Sequence, residues 1–200
     1  KGKRDKINHA YAFGGVEMSI KTVENFLDIP IDYYAEINME GFQDVVASVG
    51  GVNVDVPFSF NYEGINFQKG PMFMDAKTAM KYVRMRKQDP RGDFGRNARQ
   101  QQVVKAILKE SLTVKNFTKI DDVVKSVGAN LRTNVAPNDY MGLKDLYSAI
   151  NTSQIESFQI KGKGTMMHGI YYYVVSEAER NHLSERLKEQ LELNTEVTKR

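Results

Sequence analysis

The chain has 200 residues, 41% hydrophobic and 26% charged, with a formal net charge of +3. That is enough for one domain with a sizeable core, and the composition is that of an ordinary globular chain rather than a disordered one. With zero cysteines, disulfides and thiolate metal sites are excluded, no apolar run approaches the length of a bilayer-crossing helix, and His9, His168 and His182 lack zinc-ligand spacing.

Along the chain, Gly14-Gly15 leads into a helical pattern carried by Val16, Ile20, Val23 and Leu27 and closed by Pro30. Ile31 to Ile37 alternates as a half-buried strand. Phe42, Val45, Val46 and Val49 then mark a short helix stopped by Gly50-Gly51. VNVDVP resumes alternation, and FSFNYEGINF reads as a hairpin turning near Glu63-Gly64. Asp75 is placed to cap a helix, AKTAMKY. Val103, Val104, Ile107, Leu108 and Leu112 mark an amphipathic helix, as do Ile120 to Val127 and Leu143 to Ile150. IESFQI and GIYYYVV have strand composition, with KGKGT as a loop between them, and Ser176 to Glu179 is a capping box opening a last helix along Leu183, Leu187 and Leu191. The order of elements argues for a layered α/β fold, a mixed sheet flanked by helices, and nothing in the composition forces a second domain within 1–200.

The charge is concentrated in one place. Between Arg84 and Gln100 stand six positive side chains and two negative ones, giving +4 where the whole chain carries +3. Arginine dominates, and its planar fork fits phosphate oxygens bidentately where an ammonium does not. Arg96, Arg99 and Gln100 share a helical face that continues into Val103, Val104 and Ile107, so they are expected to point inward and to require an anionic partner. Asp93, just before that helix, is one available carboxylate, and a helix N-terminus also suits phosphate. Arg84 and Arg86, if extended, lie on one side with Val83 and Met85 on the other. The pattern fits a phosphate or pyrophosphate clamp, and equally a solvated salt-bridge network. Nucleic-acid binding is the weaker reading, since the basic charge is local and no recognised binding motif accompanies it. KGKGT lacks the full phosphate-loop spacing, Tyr171 to Tyr173 read as strand, and Met166-Met167 as loop or core.

Four blocks in order, DKINHAYAFGG at Asp5 to Gly15, TVENFLDIPIDYY at Thr22 to Tyr34, GGVNVDVP at Gly50 to Pro57 and YVRMRK…GDFGRNARQQQ at Tyr82 to Gln102, resemble the LytR-CpsA-Psr family, closest to its Bacillus-type LytR/Tag branch. The resemblance implies a phosphotransferase that moves an anionic glycopolymer, such as wall teichoic acid, from an undecaprenyl-pyrophosphate carrier to peptidoglycan. It implies Mg²⁺ as cofactor, no nucleic-acid partner, and a location on the outer face of a Gram-positive cell membrane, held there by an N-terminal anchor. By the same resemblance, Lys6, Arg84, Arg86, Arg96, Arg99 and Gln100 bind the pyrophosphate, and Arg84, Arg86, Asp93 and Arg96 serve catalysis. The polyprenyl tail is expected in a hydrophobic pocket between sheet and helices. Family members carry a metal-binding aspartate ahead of the DKIN block. The chain is therefore expected to represent the C-terminal part of the catalytic domain, without the anchor and without a metal ligand of its own. A non-catalytic lipid-pyrophosphate-binding or regulatory protein is the alternative.

Overall fold

A computed structural model of the chain describes residues 5–113, 128, 130–136, 155 and 157–193. Two compact units emerge, one formed by the two ends of the chain, Lys1–Tyr33 with Glu156–Arg200, and one by Tyr34–Ile155. The expected helices over Ile120 to Val127 and Leu143 to Ile150 lie outside the described residues.

In the first unit, α1 runs from His9 to Leu27 and is bent at the paired glycines, where Gly15 takes φ 62° and ψ −151°. Few residues other than glycine tolerate that region, so the pair kinks the helix instead of opening it. Asp28 closes α1 in the left-handed conformation and pairs with Lys188. The hairpin β7 (Lys163–Met167) and β8 (Ile170–Val174) turns on His168 and Gly169, both at positive φ. KGKGT is therefore mostly strand rather than loop, and Ser157 to Ile160 is not a strand. The last helix, α5 (Glu177–Gln190), starts where its cap requires, with the Ser176 side chain accepting a hydrogen bond from the Glu179 N–H.

The second unit holds the main core. β1 (Ala35–Ile37) pairs antiparallel with β6 (Leu131–Thr133), and α2 (Met39–Ser48) is capped by Asn38, which accepts from the Gly41 N–H at 2.8 Å. Strand β2 (Val52–Val56) buries Val52, Val54 and Val56 and exposes Asn53 and Asp55, as its alternation requires. Its partner is β5 (Gly70–Met74), a strand whose lead residues Gly70 and Pro71 hid it in the sequence. Between them, β3 (Phe60–Tyr62) and β4 (Ile65–Phe67) form the expected hairpin, with Glu63 and Gly64 both at positive φ. α3 (Ala76–Arg84) begins at Asp75, whose carboxylate accepts from the Thr78 N–H at 2.7 Å, and α4 (Asp93–Thr113) follows a short loop. Among the described residues every strand pairing is antiparallel.

Side chains from β2 to β5 and from α2, α3 and α4 close one cluster that includes Val46, Val52, Val56, Phe67, Met74, Tyr82 and Val103. Three rings stack through its middle, Phe60 on Phe67 at 4.6 Å and both against Tyr82. Truncating a fully buried phenylalanine removes its transfer free energy and leaves a cavity. Phe67→Ala is therefore expected to lower unfolding free energy by about 3–5 kcal/mol in urea titrations, and a loss below about 1 kcal/mol would show that these rings are not the centre of the core.

Candidate functional site: an arginine cluster at the start of a helix

Tyr82 and Val83 on α3, and Met85 just beyond it, are buried, while Arg84 and Arg86 are exposed. The alternation expected of an extended segment thus holds, although Arg84 is the last residue of the helix and only Met85 (φ −57°, ψ 132°) is extended. From Arg86 the chain loops to Gly92 (φ 57°) and enters α4 at Asp93. This brings two arginines from opposite sides of the loop onto one carboxylate. Arg86 Nη2 donates to Asp93 Oδ2 and Arg96 Nη2 forms an ion pair with Asp93 Oδ1, both at 2.7 Å. All three side chains keep a third or more of their surface in solvent. Exposed ion pairs contribute only about 0–1 kcal/mol, so the bridge is open to exchange with another anion.

Arg99 is different. It is fully buried, flanked by the rings of Phe60 and Tyr82 at 5.9 and 5.8 Å. Its Nε donates to the Tyr82 carbonyl at 3.0 Å, one terminal nitrogen donates to the Met85 carbonyl and the other pairs with Asp89. The anionic partner that burial demands is thus internal: Asp89, from the loop, with Asp93 serving Arg86 and Arg96 instead. Asp89 also accepts from the Arg91 N–H at 2.8 Å. A side chain on Gly95 would collide with this carboxylate, so the helix must carry glycine there. Burial by itself would raise the Asp89 pKa, but the Arg91 N–H and the Arg99 guanidinium outweigh it and hold the group below the usual carboxylate range.

The face expected to turn inward is rotated. Arg99, Val103 and Ala106 are buried, whereas Gln100 and Val104 are exposed and Arg96 is half-exposed. Gln100 shares the surface of the first turns of α4 with Asp93 and Arg96. Lys6 belongs to the first unit, where its ammonium lies 5.0 Å from the centre of the Tyr172 ring. Two residues that the motif alone did not single out support the arrangement. The Tyr82 hydroxyl donates to Gln102 at 2.7 Å, and Gln102 donates in turn to the Asp55 carbonyl at 3.2 Å, joining α3, α4 and β2. Burial pushes the Tyr82 hydroxyl up to about 12.

With Asp89 buried against Arg99, the charged side chains that reach solvent from Arg84 to Arg96 are Arg84, Arg86, Lys87, Arg91 and the half-exposed Arg96 against Asp93, and Arg91 also lies 3.6 Å from the Asp89 carboxylate. The surface can therefore hold a polyanion. The first unit offers a small apolar cavity of about 80 Å³ lined by Leu27, Phe158, Ile160, Leu183, Arg186 and Leu187, well below the roughly 300 Å³ at which ligand pockets begin. Among the described residues no group of three or more His, Asp or Glu side chains gathers to hold a metal, and no helix is long and apolar enough to cross a membrane.

Removing one member of a buried ion pair leaves the other uncompensated, at about 3–5 kcal/mol; Asp89→Asn is expected to lose that much stability at neutral pH. A depressed folded-state pKa stabilises the fold above the unfolded value of about 3.9 and ceases to do so as pH falls through the folded one. Melting temperature measured across the acid range should therefore fall more steeply for the wild type than for Asp89→Asn, and parallel curves would contradict the assignment.

Nearly all of the chain aligns with known proteins. The polyisoprenyl-teichoic acid–peptidoglycan teichoic acid transferase TagU of Bacillus licheniformis is 45% identical over 191 residues, which are 96% of this chain and 62% of that protein. The chain thus spans less than two thirds of the length of that curated relative. The crystal structure of B. subtilis TagU superposes with a TM-score of 0.76 at 43% identity, over 96% of this chain and 78% of the other. A structure described as TagT bound to LIIa-WTA superposes at 0.79 with 32% identity, over 94% and 72%. The model of the LytR_cpsA_psr family matches residues 1–189, and on these grounds the chain belongs to the LytR-CpsA-Psr family.

Proposed function

We propose that the chain is the pyrophosphate-handling part of a glycopolymer–peptidoglycan phosphotransferase. The observation that carries this reading is the Arg86–Asp93–Arg96 bridge at the start of α4, two guanidiniums from separate segments converging on one exchangeable anion. The related transferases are named for moving teichoic acid from a polyisoprenyl carrier to peptidoglycan, and a TagT structure holds LIIa-WTA.

In the proposed reaction an acceptor hydroxyl on peptidoglycan attacks the phosphorus that carries the glycopolymer. The new P–O bond is a phosphodiester, the pyrophosphate bridge breaks, and its electron pair leaves on undecaprenyl phosphate. Negative charge grows on the bridging and leaving oxygens, and Arg84, Arg86 and Arg96 stabilise it more than they stabilise the bound substrate. A diphosphate seated between Arg86 and Arg96 displaces Asp93, which becomes free to take the proton of the attacking hydroxyl. Gln100 supplies an amide to the same surface. Lys6 enters by family resemblance, through the lysine of the DKIN block. Mg²⁺ belongs to the proposal as the cofactor implied by that resemblance. Among the described residues no group of three or more His, Asp or Glu side chains gathers to hold the ion, and no step is routed through it. A location on the outer face of the cytoplasmic membrane and a hydrophobic groove for the polyprenyl tail complete the reading.

A charge-assisted hydrogen bond contributes about 1.5–3 kcal/mol net, so Arg86→Ala and Arg96→Ala should each slow transfer by roughly ten- to over a hundredfold. Their exposure predicts an unchanged melting temperature. The check is transfer of a polyprenyl-pyrophosphate-linked glycopolymer to peptidoglycan by the intact protein, and wild-type rates in either variant would overturn the assignment. Salt-sensitive DNA binding without lipid dependence would instead favour the regulatory alternative.

A further inference from the structure

The arginines of the proposed site stand on separate pieces of backbone. Arg84 and Arg86 flank the end of α3, Arg96 lies one turn into α4, and the loop between contains Pro90 and the positive-φ Gly92. Their spacing needs a cause beyond the exposed Asp93 bridge, which is too weak to set it.

One buried group reaches all the pieces. Arg99 is on α4, three residues beyond Arg96. Its donors take the carbonyls of Tyr82 and Met85, and Met85 lies between Arg84 and Arg86. The remaining edge holds Asp89, whose own backbone N–H donates to the Arg86 carbonyl at 3.2 Å. Gly95 leaves the space for that carboxylate, and the rings of Phe60 and Tyr82 keep the guanidinium in place. Only a planar fork with several fixed donors can make these three contacts together. Stability alone is a poor reason for the pair, since apolar replacements of a buried ion pair are often neutral or stabilising. We infer that Asp89 and Arg99 are positioning residues. They hold the Arg84–Arg86 segment and the first turn of α4 at the separation at which one anion, Asp93 or a displacing phosphate, spans Arg86 and Arg96. The inference rests on the proposed anion-binding role of that bridge and assigns Arg99 to the support of the site, not to contact with substrate.

Two variants of the full chain test it. Arg99→Lys keeps a charge facing Asp89 but cannot reach both carbonyls. The double variant Asp89→Leu with Arg99→Met removes the pair without stranding a charge. Inorganic pyrophosphate binding is measured by calorimetry, together with thermal unfolding and the Nε–H resonances of Arg86 and Arg96 by NMR. The expected result is binding weakened about tenfold or more in both, with shifted Arg86 and Arg96 resonances, even where the double variant regains wild-type melting. Wild-type affinity in either folded variant overturns the inference. If the wild-type chain binds no pyrophosphate, the functional reading fails on its own. The resonances then decide positioning, since unchanged Arg86 and Arg96 signals in Arg99→Lys overturn it and shifted ones uphold it. If the double variant does not fold, Arg99→Lys gives the same decision alone.

Discussion

A guanidinium without contact to water must have its charge and its donors met inside the protein, and Arg99 imposes that constraint on everything around it. The Tyr82 and Met85 carbonyls at the end of α3 are turned to it, so the helix ends there and Met85 leaves in an extended conformation. The loop must deliver Asp89, α4 must carry no side chain at Gly95, and the hairpin β3–β4 must place Phe60 beside the ion. The ring stack of Phe60, Phe67 and Tyr82 then joins this polar centre to the apolar core without a break.

The same constraint shapes the surface. Burial of Asp89 with Arg99 removes one charge of each sign, so the segment shows the outside its full excess of positive charge, with Arg91 also within 3.6 Å of the Asp89 carboxylate. The remaining carboxylate, Asp93, sits where the helix dipole favours an anion and where two guanidiniums meet. The proposed function seats a phosphate in the place of that carboxylate, since guanidiniums bind either anion by the same charge-assisted hydrogen bonds.

Legibility followed the range of the physics. Alternation in VNVDV, the caps at Asp75 and Ser176, and the Glu63-Gly64 turn are local effects, and each element stands where its residues indicate. Strand β5 was obscured by its Gly-Pro start, because its existence depends on pairing with β2 and not on its own propensity. The last three residues of KGKGT became strand for the same reason: β8 supplies a partner that a local reading does not see.

The arginine run shows the same division within one site. Its composition and spacing by themselves determined that charge is concentrated, that an anion must be met, and that helical periodicity turns part of the run inward. Which carboxylate meets which arginine was decided only by the tertiary structure. Arg96, Arg99 and Gln100 share a face on paper, but a helix face is about as wide as the surface it packs on, and here α3 and the Phe60 ring cover Arg99 alone. Asp89 and Asp93 differ little as letters in a loop. Their separation into an internal counter-ion and an exchangeable surface bridge comes from the path of the loop between α3 and α4, which helical or strand periodicity does not specify.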